Sequence, residues 1–167
     1  TYDVSADLYS LSEHSNYVIC SGAKSILDLN KTYELLETLG ITRIGYKTDN
    51  MPGFWYSETN HQVDNSFENV SDISNFLKLN SKLKHKKSIL IFNKVPKINA
   101  ISKEKIHEWI NSALERAEKN KIIGKALTPF LIKEINNFSD NQTLKANVSL
   151  IISNADLAGK IAKNFYS

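Results

Sequence analysis

A lone cysteine, Cys20, means that no internal disulfide can form. A single thiol fits a reducing compartment, and the expected location is the cytoplasm. No apolar run approaches the roughly 20 residues that a membrane-crossing helix needs, and no signal-peptide pattern is visible. Excess charge is small, +3 with 23% charged residues, so neither a nucleic-acid partner nor a membrane partner is expected; a nucleic-acid binder concentrates positive charge. The basic cluster Lys82, Lys84, His85, Lys86 and Lys87 reads as a solvated turn. Internal repeats are absent. His14 reads as an exposed loop residue, and His61 and Asp64 stand too isolated to read as a metal site.

What is present suffices for one domain, since 167 residues with 41% hydrophobic content can bury a core. Tyr17 to Cys20 read as a short buried strand, followed by the small residues Ser21, Gly22 and Ala23 and then Lys24. A helix over 28–39 follows, capped by Asp28 or Asn30 and stopped at Gly40. Strand, tight turn and helix place Lys24 at the carboxyl end of a strand, where open α/β sheets bind ligands. Such a lysine is either a solvated loop residue or a reactive amine able to attack a carbonyl or an anomeric carbon.

Further strands are predicted near 43–46 and 88–92, the latter a continuous apolar run typical of a sheet covered on both faces, with helices over 71–83 and 102–120, from Thr128-Pro129 onward with Thr128 as cap and Pro129 in the first turn, and over 143–165. The fold class is therefore α/β, a central sheet covered by helices on both faces. Residues 47–70 read as an irregular loop, whose Phe54, Trp55 and Tyr56 either pack or stack on a base. The apolar face of the last helix is predicted to comprise Leu144, Val148, Ile151, Ile152, Ala155, Ala158, Ile161 and Ala162, with Asn147 among them. An amide there needs a partner, either a structural hydrogen bond to a neighbouring loop or a ligand. Asp3, Ser5 and Asp7 alternate, so in an extended segment they would share a face and could hold a hard cation or a sugar hydroxyl. They also suit a turn or helix cap. Lys125, after Gly124, could aid an anion or simply be exposed.

Several stretches together resemble one family. They are Asp3-Val4-Ser5-Ala6-Asp7-Leu8, Val18 to Asp28, Leu36-Glu37-Thr38-Leu39-Gly40-Ile41, Ile44 to Asp49 with Pro52-Gly53-Phe54, Gly124 to Leu131, and Leu144-Lys145-Ala146-Asn147 with Ser153-Asn154-Ala155. In this order and spacing the chain resembles the pseudouridine-5'-phosphate glycosidase family, also called indigoidine synthase A-like. The resemblance implies reversible cleavage of the carbon–carbon bond between uracil and ribose 5-phosphate, a glycosidase or lyase reaction of nucleotide catabolism. It implies Lys24 as the nucleophile forming an imine with the ring-opened sugar. It further implies Asp3 as a ligand of a manganese ion, and Ser5, Ala6, Asp7 and Asn147 as contacts to a small nucleotide substrate. Residues 1–167 are expected to be the carboxyl-terminal part of a larger catalytic domain, whose amino-terminal part supplies a glutamate proton donor and a second lysine. A homotrimer is expected. Where relatives have glycines before the 88–92 strand and Asn-Pro-Ile-Pro after it, this chain has Lys86-Lys87 and Asn93-Lys94-Val95-Pro96. Two other classes stay open: another Schiff-base sugar-phosphate enzyme such as an aldolase, and a non-catalytic remnant or assembly subunit.

Overall fold

The computed structural model describes Ser5, residues 7–83 and residues 86–167, with the main chain alone at Lys125. Its centre is a parallel sheet of four strands in the order β1-β4-β2-β3. These are β1 (Tyr17–Cys20), β2 (Thr42–Tyr46), β3 (Asn65–Phe67) and β4 (Ile89–Asn93). The helices are α1 (Asp7–Glu13), α2 (Leu29–Thr38), α3 (Val70–Lys82), α4 (Lys103–Lys119), α5 (Leu127–Phe138) and α6 (Gln142–Tyr166). The predicted α/β architecture is what the chain adopts.

Strand β4 explains the layering. All five of its residues are buried, as expected of a central parallel strand covered on both faces. Alternation sends Ile89 and Ile91 to one face, where they meet Ile73 and Leu77 of α3 and Leu157 and Ile161 of α6. Leu90 and Phe92 point the other way, toward Leu8 of α1 and Tyr33 and Leu36 of α2. A third cluster lies beyond the sheet, where Trp55, Tyr56 and Val95 pack with Ile106 of α4, Ile135 of α5 and Leu150 of α6.

Local chemistry sets most boundaries. Asp28 caps α2 by accepting from the Lys31 amide at 3.1 Å, and Ser102 caps α4. At the other end of α2, Lys87 Nζ donates to the Leu39 carbonyl at 2.7 Å. One lysine of the basic cluster is thus a helix C-terminal cap, where a cation suits the dipole. Lys84 and His85 lie outside the described residues.

One open reading resolves toward a turn and three expectations need correction. Asp7 starts α1 and does not continue an extended segment, because Ser5 Oγ donates to Asp7 Oδ2 at 2.9 Å and Ser5 O accepts from Leu8 N, which is turn chemistry. Three residues of the irregular loop, Asn65 to Phe67, pair with β2 as β3. Thr128 is not a cap: the 3-10 turn Gly124–Ala126 runs straight into α5, leaving Pro129 inside the first helical turn. On α6 it is Thr143, Ala146, Leu150, Leu157 and Ile161 that are buried, while Leu144, Val148, Ile151 and Ile152 are 50–69% exposed. The helix carries apolar residues on two flanks, and contact with α5, α3 and the sheet takes only one of them.

Candidate active site

The site is built at the carboxyl end of β1. Gly22 turns the chain there with φ +89°, a left-handed conformation that glycine adopts readily. A Cβ at Gly22 would stand 1.9 Å from the Pro52 carbonyl oxygen. The turn is pinned on several sides: Ser21 O accepts from Phe54 N at 2.9 Å, Ser25 Oγ donates to Gly53 O, and Tyr33 Oη donates to Pro52 O at 3.0 Å. Gly53 lets the Tyr56 ring close over the loop, since a Cβ there would stand 2.1 Å from that ring. Trp55 and Tyr56 are buried in the core and Phe54 packs against it, so the aromatic trio serves packing.

A polar network joins this turn to the centre of the sheet and to α6. Asn154 bonds Ser21 through both of its side-chain heteroatoms, at 3.3 and 3.1 Å. Asn93, at the end of β4, donates to Asn154 Oδ1 and to Ser153 Oγ, each at 3.0 Å. Asn147 lies seven residues before Asn154, two helical turns away on the same side of α6. Its Oδ1 accepts from Trp55 Nε1 at 2.8 Å, the loop bond that was one of its two predicted roles. Because an indole N–H only donates, the amide oxygen must face Trp55, which turns the amide's own two donors away. Those donors have no partner among the described residues. Trp55→Phe removes the indole donor and is expected to cost about 1–2 kcal/mol, about 2–8 °C in Tm at this chain size. An unchanged thermal unfolding midpoint would show that the bond contributes nothing.

Lys24 follows the Gly22 turn and is exposed. Its carbonyl accepts from Leu27 N at 2.9 Å, and its side chain makes no hydrogen bond or ion pair among the described residues. Asp7 is also exposed, held by Ser5. The structure therefore brings together Ser21, Asn93, Ser153 and Asn154, none of which was singled out as a candidate, and leaves Lys24, Asp7 and Asn147 unlinked to them by hydrogen bonds. The available signal was a polar residue on a mostly apolar helix, the same reasoning that flagged Asn147.

Asp3 and Ala6 lie outside the described residues. Among the described residues no cluster of three His, Cys, Asp or Glu side chains could hold a metal ion. Asp3, the residue expected to hold manganese, is not among those residues. Burial pushes the Cys20 thiol up to about 11, which keeps it protonated and unreactive near neutrality.

A second polar cluster lies near α2. His61 Nε2 stands 2.9 Å from Asn30 Oδ1, and its ring packs on Tyr33 with centroids 4.4 Å apart. Burial holds the His61 pKa below the ordinary 6.5, against the opposing pull of Glu34. Between the lowered value and 6.5 the unfolded chain binds more protons, so acid favours unfolding. The expected result is a urea midpoint that falls as pH drops below 6.5, more steeply in the parent than in His61→Gln. Parallel pH profiles would refute it.

Residues 1–164 match the indigoidine synthase A like protein family. Among curated proteins, the chain is 42% identical over 165 residues to a pseudouridine-5'-phosphate glycosidase of Petrotoga mobilis, covering 99% of this chain and 54% of the relative. It is 38% identical to the enzyme of that name from Brachyspira hyodysenteriae, with the same coverage. Among solved structures, the prealnumycin C-glycosynthase in complex with ribulose 5-phosphate superposes with a TM-score of 0.90 at 28% identity, over 98% of this chain and 54% of that one. An indigoidine synthase A-like protein from Thermotoga maritima gives 0.84 at 33% identity, over 96% and 53%. The chain spans about half the length of these relatives. By the match along nearly its whole length, this chain belongs to the indigoidine synthase A like family.

Proposed function

We propose that this chain carries the nucleophile-bearing part of a pseudouridine-5'-phosphate glycosidase. The observation that supports the reading best is the Gly22 turn, which sets a primary amine, Lys24, unengaged among the described residues, at the carboxyl end of a parallel strand. Relatives about 40% identical carry that enzyme's name.

The reaction asks for such an amine. A C-glycosidic bond offers no leaving heteroatom to protonate, so acid catalysis alone does not break it. Lys24 Nζ attacks C1' of the sugar, the C1'–O4' bond breaks, and O4' takes a proton as the ring opens. A proton then reaches C5 of uracil. The nitrogen lone pair forms a C1'=N iminium as the C1'–C5 electron pair leaves with the base. Water adds at C1' and expels the lysine, giving ribose 5-phosphate and regenerating the amine. Ser5, Ala6 and Asp7 are proposed to line the substrate site, and Asn147 would use its two free amide donors on the sugar phosphate. A manganese ion held at Asp3 belongs to the same reading.

A family-length protein containing this chain, the remainder taken from the Petrotoga mobilis relative, provides the test. Treated with pseudouridine 5'-phosphate and borohydride, its Lys24 peptide should gain the mass of a reduced sugar-phosphate adduct, with uracil released. Turnover without an adduct on Lys24 removes it as nucleophile. The C-glycosynthase likeness favours one second reading, the same sugar-phosphate adduct with a different carbon partner; a borohydride adduct of Lys24 with ribose 5-phosphate itself, in a protein that releases no uracil from pseudouridine 5'-phosphate, would select it.

A further inference from the structure

We propose that the outer flank of α6 and the free edge of β1 form one docking surface for the portion of the family's length that lies outside these 167 residues. The inference rests on family membership and not on the proposed reaction.

Three observations converge on it. The first is the second apolar stripe of α6. Leu144, Val148, Ile151 and Ala155 recur at intervals of four, three and four residues, a continuous row on one helix side. All four are exposed, Ile151 by 69%. A helix with apolar residues on two flanks is one built to lie between two layers.

The second is β1. Among the described residues it ends the sheet, paired with β4 on one side only. Ile89 N donates to Asn16 O, and the alternation of a parallel ladder then turns Val18 and Cys20 toward β4. The main-chain groups of Tyr17 and Ile19 face outward. Natural sheet edges are protected by charge, proline or a bulge, and Tyr-Val-Ile-Cys has none of these. The two features adjoin: Tyr17 and Ile19 share a cleft of about 880 Å³ with Ala158, Ile161, Ala162 and Phe165 of α6.

The third selects the occupant. The curated relatives match this chain over only 54% of their own length. A segment of comparable size therefore remains to be placed in the family's unit, and this is the described surface that offers both an apolar stripe and an open strand edge. Asn147 and Asn154 run along the boundary between the buried and the exposed flanks of α6. A segment laid on the outer flank would therefore wall the site beside Ser21 and Asn93.

The test is co-expression of this chain with the segment of the Petrotoga mobilis relative outside the matched region. A one-to-one complex is expected, with the amides of Tyr17 and Ile19 slowed in hydrogen exchange at least tenfold against the chain alone. The double variant Val148→Glu/Ile151→Glu should weaken capture at least tenfold while the Tm of the chain alone stays put, because both side chains are exposed. Capture unaffected by the double variant, with the two β1 amides still open, overturns the proposal. So does a stable oligomer of the chain by itself that hides the stripe and excludes the segment, which would make a second copy the occupant.

Discussion

Lys24→Ala in the family-length protein is expected to lower kcat by on the order of 10³-fold or more, the scale on which removal of a covalent nucleophile acts. Two features sharpen the expectation. Lys24 is exposed and unpaired among the described residues, so its truncation should leave stability within about 0.5 kcal/mol of the parent. Activity and folding are thereby separated in one variant. Lys24→Arg should be equally inactive, because a guanidinium stays charged and cannot offer the lone pair that an imine requires. Steady-state uracil release together with thermal unfolding checks both. A Lys24→Ala protein that retains a tenth of the parent's kcat would assign the chemistry to another group.

Gly22→Ala is expected to cost about 3 kcal/mol or more in unfolding free energy, combining positive-φ strain with overpacking. The clash is with main chain, the Pro52 carbonyl oxygen at 1.9 Å and its carbon at 2.9 Å, and no rotamer change relieves it. Gly124 supplies the control. Its φ of +61° is also left-handed, yet a Cβ there meets nothing within 4 Å. Gly124→Ala should therefore cost only about 1 kcal/mol, and the difference between the two measures the clash. Urea denaturation of both variants reads it directly. Equal midpoints would mean that the Pro52 loop yields freely, and that the turn presenting Lys24 is softer than its hydrogen bonds imply.

The parts of the fold legible in the sequence were those decided by local pattern. Ile89 to Phe92 read as a strand covered on both faces, and Asp28 announced its helix by capping chemistry. Asn65 to Phe67 escaped notice because three residues without apolar alternation become a strand only through β2 beside them. On α6, periodicity found an apolar row correctly but could not say which of two rows meets the sheet. That choice depends on partners, some of them supplied by elements over a hundred residues away. The Ser21–Asn154 bond spans 133 positions and follows from no local rule. The Gly22-Ala23-Lys24 turn was legible because small residues, strand and helix lie side by side in the chain.

The strand order also sets a timetable. When residue 88 has left the ribosome, both neighbours of the middle strand exist and the strand between them does not. Until Ile89 to Asn93 emerge, β1 and β2 have nothing to bridge them. Nucleation must wait for contacts spanning some seventy positions, such as Tyr17 with Ile89, which slows folding relative to a locally wired chain. A nascent polypeptide stalled before that point would expose the apolar Tyr17-Val18-Ile19-Cys20 segment with its partner strand still unmade, an interval in which aggregation competes with folding and chaperone help counts.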